Sequence, residues 1–235
     1  MPPAEPDWRD PDAPALLRAV EVMDTLRSPG GCPWDAQQTH VSLARYLLEE
    51  TYETLEAIET GNPALLREEL GDLLLQVLFH ARLAQELPPA DRFTIDDVAA
   101  DLVAKLVRRH PHVFEVAAVE SAATLTPGDI EQSWEQLKAR EKKRVSLTEG
   151  IPAAQPALAY ASALVERANR SGLVVDDAGA SNDEATGPGS VIGRELFALV
   201  RQAVDAGVDP ETALRNTTRG YREAIHRAEA TLRQD

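Results

Sequence analysis

The chain is poor in cysteine and in basic side chains. Cys32 is the only cysteine among 235 residues, which excludes an intrachain disulfide framework and favours a reducing compartment. Lys and Arg number 24 against 39 Asp and Glu, so the net charge is −15. An acidic balance of this size argues against a broad surface for nucleic acid or for an anionic membrane.

Signals for export and for membrane insertion are also missing. No apolar run in the sequence is long enough to cross a bilayer. Residues 1–14 combine five prolines with scattered charge and have neither a basic n-region nor an apolar h-region, so they are not typical of a signal peptide. We expect these residues to form a disordered tail, and we expect a soluble protein in the cytoplasm.

Three familiar sources of hydrolytic chemistry are absent as well. The chain has no Gly-x-x-x-x-Gly-Lys-Ser/Thr loop, which excludes a P-loop NTPase. Residues 67–71 are similar to the end of a Nudix box but lack its upstream glycine, and strand signals are nearly absent along the chain. No general-base motif accompanies Cys32, which favours a packed thiol over a nucleophile.

A helical hairpin predicted over residues 43–83 is the most informative stretch of the sequence. Both halves are rich in good helix formers, and Gly61-Asn62-Pro63 separates them. Glu50 and Glu53 continue an otherwise apolar stripe on the first helix, and Glu69 and Asp72 do the same on the second. The exposed faces are predicted to carry Glu49, Glu56 and Glu68.

Four carboxylates directed toward one place repel one another, and their charged forms are costly to bury. A hard divalent cation would offset that repulsion, and an all-oxygen set of ligands suits Mg²⁺ or Mn²⁺. A solvated edge without a ligand is the alternative for a single acidic pair. Two such pairs on adjacent helices favour metal binding, so we predict Glu50, Glu53, Glu69 and Asp72 as the metal ligands.

Four motifs in the chain resemble one known family. They are residues 49–53 (Glu-Glu-Thr-Tyr-Glu), 69–72 (Glu-Leu-Gly-Asp), 31–35 with 38–40 (Gly-Cys-Pro-Trp-Asp and Gln-Thr-His), and 108–114 (Arg-Arg-His-Pro-His-Val-Phe). In this order they resemble the MazG nucleoside triphosphate pyrophosphohydrolases of the all-α NTP pyrophosphatase superfamily. The resemblance is close from about residue 16 to 142 and weaker beyond.

The resemblance implies a fold and an activity. The fold would be an all-α four-helix bundle completed by homodimerisation. The activity would be Mg²⁺-dependent hydrolysis of nucleoside triphosphates (NTPs or dNTPs, damaged ones included) to the monophosphate and pyrophosphate, as a house-cleaning enzyme.

The resemblance also implies roles for individual residues. Glu49, Glu50 and Glu53 would be catalytic. Lys105 and Arg109, with Arg108 beside them, would bind the phosphates. Trp34 would border the nucleotide pocket, and the base or the phosphates would be approached by Trp134 and Lys138.

The residues alone leave some of these roles open. Composition allows Trp34 to be either a core plug or a stacking platform. The cations around Lys105 could form a solvated basic face of the helix instead of a phosphate-binding site. His110 and His112 flank a proline and have no partner ligands nearby, so we interpret them as structural.

The rest of the chain is interpreted as a worn second copy. The predicted segments are residues 15–145 for the catalytic domain, 146–175 for a connecting helix, 176–190 for a flexible linker and 191–235 for a degenerate helical repeat. In this repeat Ser190 stands at the position of Glu69 and Arg194 at the position of Asp72. The tail therefore lacks the carboxylates for a second site.

Two other functions stay open at this stage. One is a non-catalytic helical interaction or regulatory module in which the acids are solvated. The other is a dUTPase-like pyrophosphatase specific for dNTPs. Metal-dependent turnover separates the first from an enzyme, and a comparison of nucleotides separates the second.

Overall fold

The computed structural model describes residues 8–114, 126, 128, 130, 145–175 and 187–233. All regular elements in these ranges are helices, which confirms the predicted all-α class. They are α1 (Ala15–Arg27), α2 (Pro33–Gln37), α3 (His40–Thr60), α4 (Pro63–Ala84), α5 (Ile95–Arg109), α6 (Pro111–Phe114), α7 (Ala157–Ser171), α8 (Pro188–Asp205) and α9 (Pro210–Leu232). No described helix is both long enough and apolar enough to span a membrane.

The chain divides into two compact units, Met1–Pro127 and Gly128–Asp235. In the first unit α3 and α4 form the predicted antiparallel hairpin, and α4 also contacts α1 and α5. The buried core of this unit is formed by Met23, Leu43, Leu78, Phe79 and Leu83. Burial of each such side chain contributes roughly 1.5–3 kcal/mol, so α4, which supplies three of the five, organises the unit.

Local hydrogen bonds fix the turn of the hairpin. Gly61 has φ 66°, a left-handed conformation that glycine adopts readily, and its N–H donates to the carbonyls that end α3. The side-chain oxygen of Asn62 accepts from the N–H groups of Ala64 and Leu65, and Pro63 occupies the first helical position. The predicted turn is therefore confirmed, and it joins α3 to α4 with a defined geometry.

The sequence also predicts a helix capped by Thr94, with Asp97 three residues on, and the structure confirms this start of α5. The side chain of Thr94 accepts from the N–H of Asp97, and the carboxylate of Asp97 accepts from the N–H of Thr94, which forms a capping box. The bonds that this carboxylate accepts from the N–H and the hydroxyl of Thr94 lower the pKa of Asp97. Beyond α5 the Nδ1 atom of His110 lies 2.6 Å from the carbonyl oxygen of Leu106, in agreement with a structural role for this histidine.

The segment around Trp34 differs from the prediction. The sequence predicts a loop over residues 31–40, whereas the structure has the short helix α2 within it. Pro33 occupies its first helical position, and the N–H of Ala36 donates to the carbonyl of Cys32 at 3.1 Å. A helix of five residues has too few side chains to show a periodic pattern, which is why the sequence did not reveal it.

The N-terminal tail is described from residue 8. Residues 8–13 form turns, and Nε of Arg18 in α1 donates to the carbonyl oxygen of Trp8 at 2.9 Å. This part of the tail therefore contacts α1, and the disorder of residues 1–14 stays a prediction. Residues 1–7 lie outside the described part.

The second unit is helical over α7, α8 and α9. Residues 145–156 contain turns held by Arg167, whose Nη1 donates to the carbonyls of Leu147 and Glu149 at 3.0 and 2.7 Å. The predicted connecting helix, 146–175, is thus helical only over α7. The helix α8 begins at Pro188, inside the predicted linker 176–190, of which residues 176–186 lie outside the described part. The domain limits given above stay predictions.

Candidate metal and nucleotide site

Three carboxylates of the hairpin lie together. Glu50 on α3 and Glu69 and Asp72 on α4 each offer one oxygen, and these three oxygens lie within 4.8 Å of one another. Glu69 is buried, with 8% of its surface exposed, and the other two are partly exposed. Over the part of the chain that the structure describes, this is the one group of three or more side chains suited to hold a metal ion. We call it the carboxylate triad.

Burial and neighbouring charges raise the pKa of two members of the carboxylate triad, Glu50 and Glu69. Burial of the carboxyl raises the pKa of Glu50, and the negative charges of Asp72 and then Glu53 raise it further. Burial is also the main cause of the raised pKa of Glu69, followed by the charge of Glu53. A bound cation would reverse this repulsion, and an all-carboxylate set of donors fits Mg²⁺.

Glu53, the fourth predicted ligand, lies outside this group. It is exposed, and its side chain hydrogen-bonds to that of Glu69. This hydrogen bond is the smallest of the causes that raise the pKa of Glu69. Three residues along a helix correspond to a rotation of about 300°, so Glu53 points about 60° away from Glu50. Its role as a ligand stays a prediction.

The other acids of the hairpin lie where the sequence placed them. Glu49, Glu56 and Glu68 are exposed. The charge of Glu49 contributes to the raised pKa of Glu50, so Glu49 is close enough to act on the carboxylate triad. Its catalytic role stays a prediction.

Trp34 lies in α2 against two aromatic rings. Its ring centroid is 5.9 Å from that of Tyr46 and 6.4 Å from that of Phe79, and both contacts are edge-on, with interplanar angles of 69° and 77°. Phe79 is buried, whereas half of Trp34 is exposed. The ring is therefore packed on one side and open on the other, which excludes a fully buried plug.

Arg27, at the end of α1, contacts both α2 and the ring of Phe79. Nε and Nη2 donate to the two carboxylate oxygens of Glu86 at 2.8 and 2.9 Å, and Nη1 donates to the carbonyl oxygen of Asp35 in α2. The guanidinium carbon lies 6.0 Å from the ring centroid of Phe79. These bonds lower the pKa of Glu86. Sequence reasoning missed Arg27 and Glu86, since they are 59 positions apart and no local pattern links them.

The predicted phosphate-binding cations lie in the last turns of α5. Lys105 and Arg108 are exposed and Arg109 is partly buried. A helix C-terminus also favours cations through the helix dipole, so their position alone does not distinguish the two explanations. Trp134 and Lys138 lie outside the described residues. The substrate contacts of all five residues stay predictions.

The second unit carries no counterpart of the carboxylate triad at the aligned positions. Nη1 of Arg194 donates to Oγ of Ser190 at 2.6 Å, so a cation and a hydroxyl pair where the first unit has Asp72 and Glu69. This contact is compatible with the predicted loss of a second site.

The sequence of this chain is similar to known proteins of one family. The sequence model of the MazG nucleotide pyrophosphohydrolase domain matches residues 38–114, which contain the whole hairpin and α5. The nucleoside triphosphate pyrophosphohydrolase/pyrophosphatase MazG of Thermotoga maritima is 39% identical over 231 residues, which cover 92% of this chain and 86% of that protein. The nucleoside triphosphate pyrophosphohydrolase of Escherichia coli K12 is 36% identical over 234 residues (90% and 86%).

A third relative is more similar in sequence. It is a 26.1 kDa protein from the blaB 3′ region of Streptomyces cacaoi, 50% identical over 216 residues, which cover 91% of this chain and 82% of that protein. Since relatives that are 36–50% identical match 90% or more of this chain, and the matched domain contains the carboxylate triad, this chain belongs to the MazG nucleoside triphosphate pyrophosphohydrolase family.

Proposed function

We propose that this protein hydrolyses nucleoside triphosphates, NTPs or dNTPs, to the monophosphate and pyrophosphate, with Mg²⁺ held by the first unit. The observation that carries this proposal is the carboxylate triad of Glu50, Glu69 and Asp72. Its members meet across two helices, and two of them have a raised pKa. Three converging carboxylates form an arrangement that a divalent cation stabilises. Membership of the MazG family supports the same reaction.

Metal binding and proton removal are assigned to different acids of the hairpin. The carboxylate triad would hold Mg²⁺, or Mn²⁺ in its place. Glu53, whose side chain lies in hydrogen-bond contact with that of Glu69, would be the fourth ligand. Bound there, the ion would supply positive charge against the phosphate oxygens. Glu49 and Glu53 lie on α3 beside the carboxylate triad and are exposed, so we assign the removal of a proton from the attacking water to this pair.

The bonds made and broken follow from the products. The water oxygen forms a bond to the α-phosphorus, and the bond from that phosphorus to the bridging α,β oxygen breaks, so pyrophosphate leaves. We assign the phosphates to Lys105, Arg108 and Arg109, where an Arg fork and a Lys point charge both suit phosphate oxygens. The base and the neighbouring phosphates are assigned to Trp34, Trp134 and Lys138.

Product analysis tests this function. Purified protein is incubated with a panel of NTPs and dNTPs, deoxyuridine and oxidised nucleotides among them, in Mg²⁺ and in EDTA. We expect pyrophosphate and monophosphate in Mg²⁺ and neither in EDTA. Orthophosphate and diphosphate would contradict attack at the α-phosphorus. Turnover of deoxyuridine triphosphate alone would favour the dUTPase-like alternative, and no turnover would favour the non-catalytic module.

A matched pair of variants ties the activity to the carboxylate triad. Glu69→Gln removes one negative charge from the buried member, and Glu68→Gln removes one from the exposed neighbour on the same helix. We expect turnover to fall by about a hundredfold or more in Glu69→Gln, because a site with fewer charged ligands binds the ion less tightly, and to stay within about twofold in Glu68→Gln. Equal activity in both variants would overturn the assignment of the site.

We also propose a homodimer. Several leucines and valines of α4 and α5 are exposed, Leu70, Leu75, Val77, Leu102, Val103 and Leu106 among them, each with more than two fifths of its surface accessible. A second copy would cover apolar side chains that a monomer leaves in water. Light scattering coupled to gel filtration should give twice the mass of the chain. The single cysteine favours a cytoplasmic location.

A further inference from the structure

We propose that Arg27 is a positioning residue for nucleotide binding: it fixes α2 so that Trp34 presents its open side to the base of the substrate. The inference rests on the proposed function. It concerns a residue that is not itself assigned to the metal, the phosphates or the base. It is carried by the contacts that Arg27 makes with Asp35, Phe79 and Glu86.

Arg27 is a buried charge, since only 7% of its side chain is exposed. Burial of a cation is costly unless it is paired and hydrogen-bonded, and Glu86 satisfies it with a two-oxygen contact. The same carboxylate accepts from Nη1 of Arg82 at 2.9 Å, and Nε of Arg82 donates to Asp24 at 2.6 Å. Glu86 therefore pairs with both arginines, but of the two only Arg27 also contacts α2.

The third donor of the guanidinium contacts α2, the helix that carries Trp34. Nη1 of Arg27 donates to the carbonyl oxygen of Asp35, the residue after Trp34. The guanidinium carbon lies 6.0 Å from the ring centroid of Phe79, and that ring makes an edge-on contact with the ring of Trp34. One side chain thus contacts both the backbone that carries Trp34 and a ring that supports it.

Two further sets of hydrogen bonds fix the segment that carries Trp34. The N–H of Cys32 donates to the carbonyl of Leu26 at 2.7 Å, which ties the segment to α1. Nε2 of Gln38 donates to the carbonyl of Trp34 at 3.1 Å, and Oγ of Ser42 in α3 donates to Gln38 at 2.6 Å. With Arg27, these bonds preorganise Trp34 before a ligand arrives, which reduces the entropy lost on binding.

The test compares Arg27→Gln with Arg82→Gln. Both variants remove one of the two cations that pair with Glu86. The hydrogen bonds of Arg82 go to Asp24 and Glu86 and not to α2, so Arg82→Gln serves as the matched control. Two quantities are measured for each variant with Mg²⁺. They are the KM and kcat for the best nucleoside triphosphate and the inhibition constant of ribose 5′-triphosphate, which lacks a base.

We expect Arg27→Gln to raise the KM for the nucleotide by about tenfold, the scale of a lost base–aromatic stack. The kcat should stay within about twofold, and the inhibition constant of ribose 5′-triphosphate should be unchanged. Arg82→Gln should leave all three within about twofold. Arg27→Lys, which keeps the charge but not the fork, should give an intermediate KM and keeps the test decisive where Arg27→Gln folds poorly.

Two results would overturn the proposal. One is an equal weakening of nucleotide and ribose 5′-triphosphate, which would mean that Arg27 acts on the whole site. The other is an unchanged KM in both Arg27 variants. Failure of the proposed function is a separate result, because the wild-type protein would then turn over none of the nucleotides.

Discussion

The Nδ1 atoms of His40 and His80 lie 2.7 Å apart, and the two rings stack with 5.0 Å between their centroids and an angle of 5°. This contact joins the first residue of α3 to the middle of the C-terminal half of α4. One ring must donate and the other accept, so the bonded pair holds a single proton between the two Nδ1 atoms. Protonation of both rings would place two donors against each other and break the contact.

The histidine pair predicts a loss of stability in mild acid. Burial, and next the charge of His40, lower the pKa of His80 below its ordinary value of 6.5. A group whose pKa is lowered by folding contributes stability above its unfolded value, and that contribution is lost as the pH falls through the folded value. We expect the free energy of unfolding to fall as the pH is lowered from above 6.5 to below it, as measured by urea unfolding with tryptophan fluorescence.

A pair of variants isolates this effect. His80→Phe keeps a ring in the stack and removes the titrating group, so its stability should depend less on pH over the same range. His226→Gln removes an exposed histidine of α9 and should retain the wild-type dependence. An identical pH dependence in His80→Phe and the wild type would show that other groups cause it.

Gly31 is predicted to be irreplaceable in the turn before α2. A Cβ atom at this position would lie 2.3 Å from the carbonyl oxygens of Thr25 and Leu26, which are backbone atoms and cannot rotate away. We expect Gly31→Ala to cost about 1–3 kcal/mol of stability. In a background with Trp8→Phe and Trp134→Phe, which leaves Trp34 as the one tryptophan of the sequence, it should increase quenching of Trp34 fluorescence by acrylamide.

Gly30 supplies the control for that change. It has φ 89°, and a Cβ atom there would meet nothing within 4 Å, so Gly30→Ala adds backbone strain without a clash. The quenching of Trp34 should then stay at the wild-type level. Equal quenching in Gly30→Ala and Gly31→Ala would contradict the role given to the close approach at Gly31.

The cap at Asn62 should contribute measurably to the hairpin. Its side-chain oxygen accepts from two N–H groups at the start of α4, and Asn62→Ala leaves both without that partner. We expect a loss of about 1 kcal/mol in the free energy of unfolding. Asn62→Asp keeps an acceptor at the same place and should cost less, and a larger loss in Asn62→Asp than in Asn62→Ala would argue against the cap.

Metal binding should depend on Asp72 and can be measured without substrate. Calorimetric titration with Mn²⁺ should show affinity weakened by about tenfold or more in Asp72→Asn, because one of three converging carboxylates is neutralised. Asp96→Asn removes a charge from the exposed first turn of α5 and should bind Mn²⁺ as the wild type does. Unchanged affinity in Asp72→Asn would mean that the ion binds elsewhere.

Local chemistry explains why much of the fold was predictable. Gly61, Asn62 and Pro63 act within a few residues of one another, and the same holds for the Thr94–Asp97 capping box. Such features are visible in the sequence because both partners of each contact are neighbours in it. The helix α2 was missed, since a single turn depends on the packing of its side chains more than on a repeating pattern.

The sequence by itself determined the hairpin and the face of each helix on which Glu50, Glu69 and Asp72 lie. A spacing of three or four residues decides which side chains share one face of one helix. Only the tertiary structure decided that Glu50 meets the α4 pair while Glu53 lies beside it, and that His40 reaches His80 and Arg27 reaches Glu86. Those relations depend on how two helices are rotated and shifted against each other, which is set by the packing of core side chains such as Leu43 and Phe79.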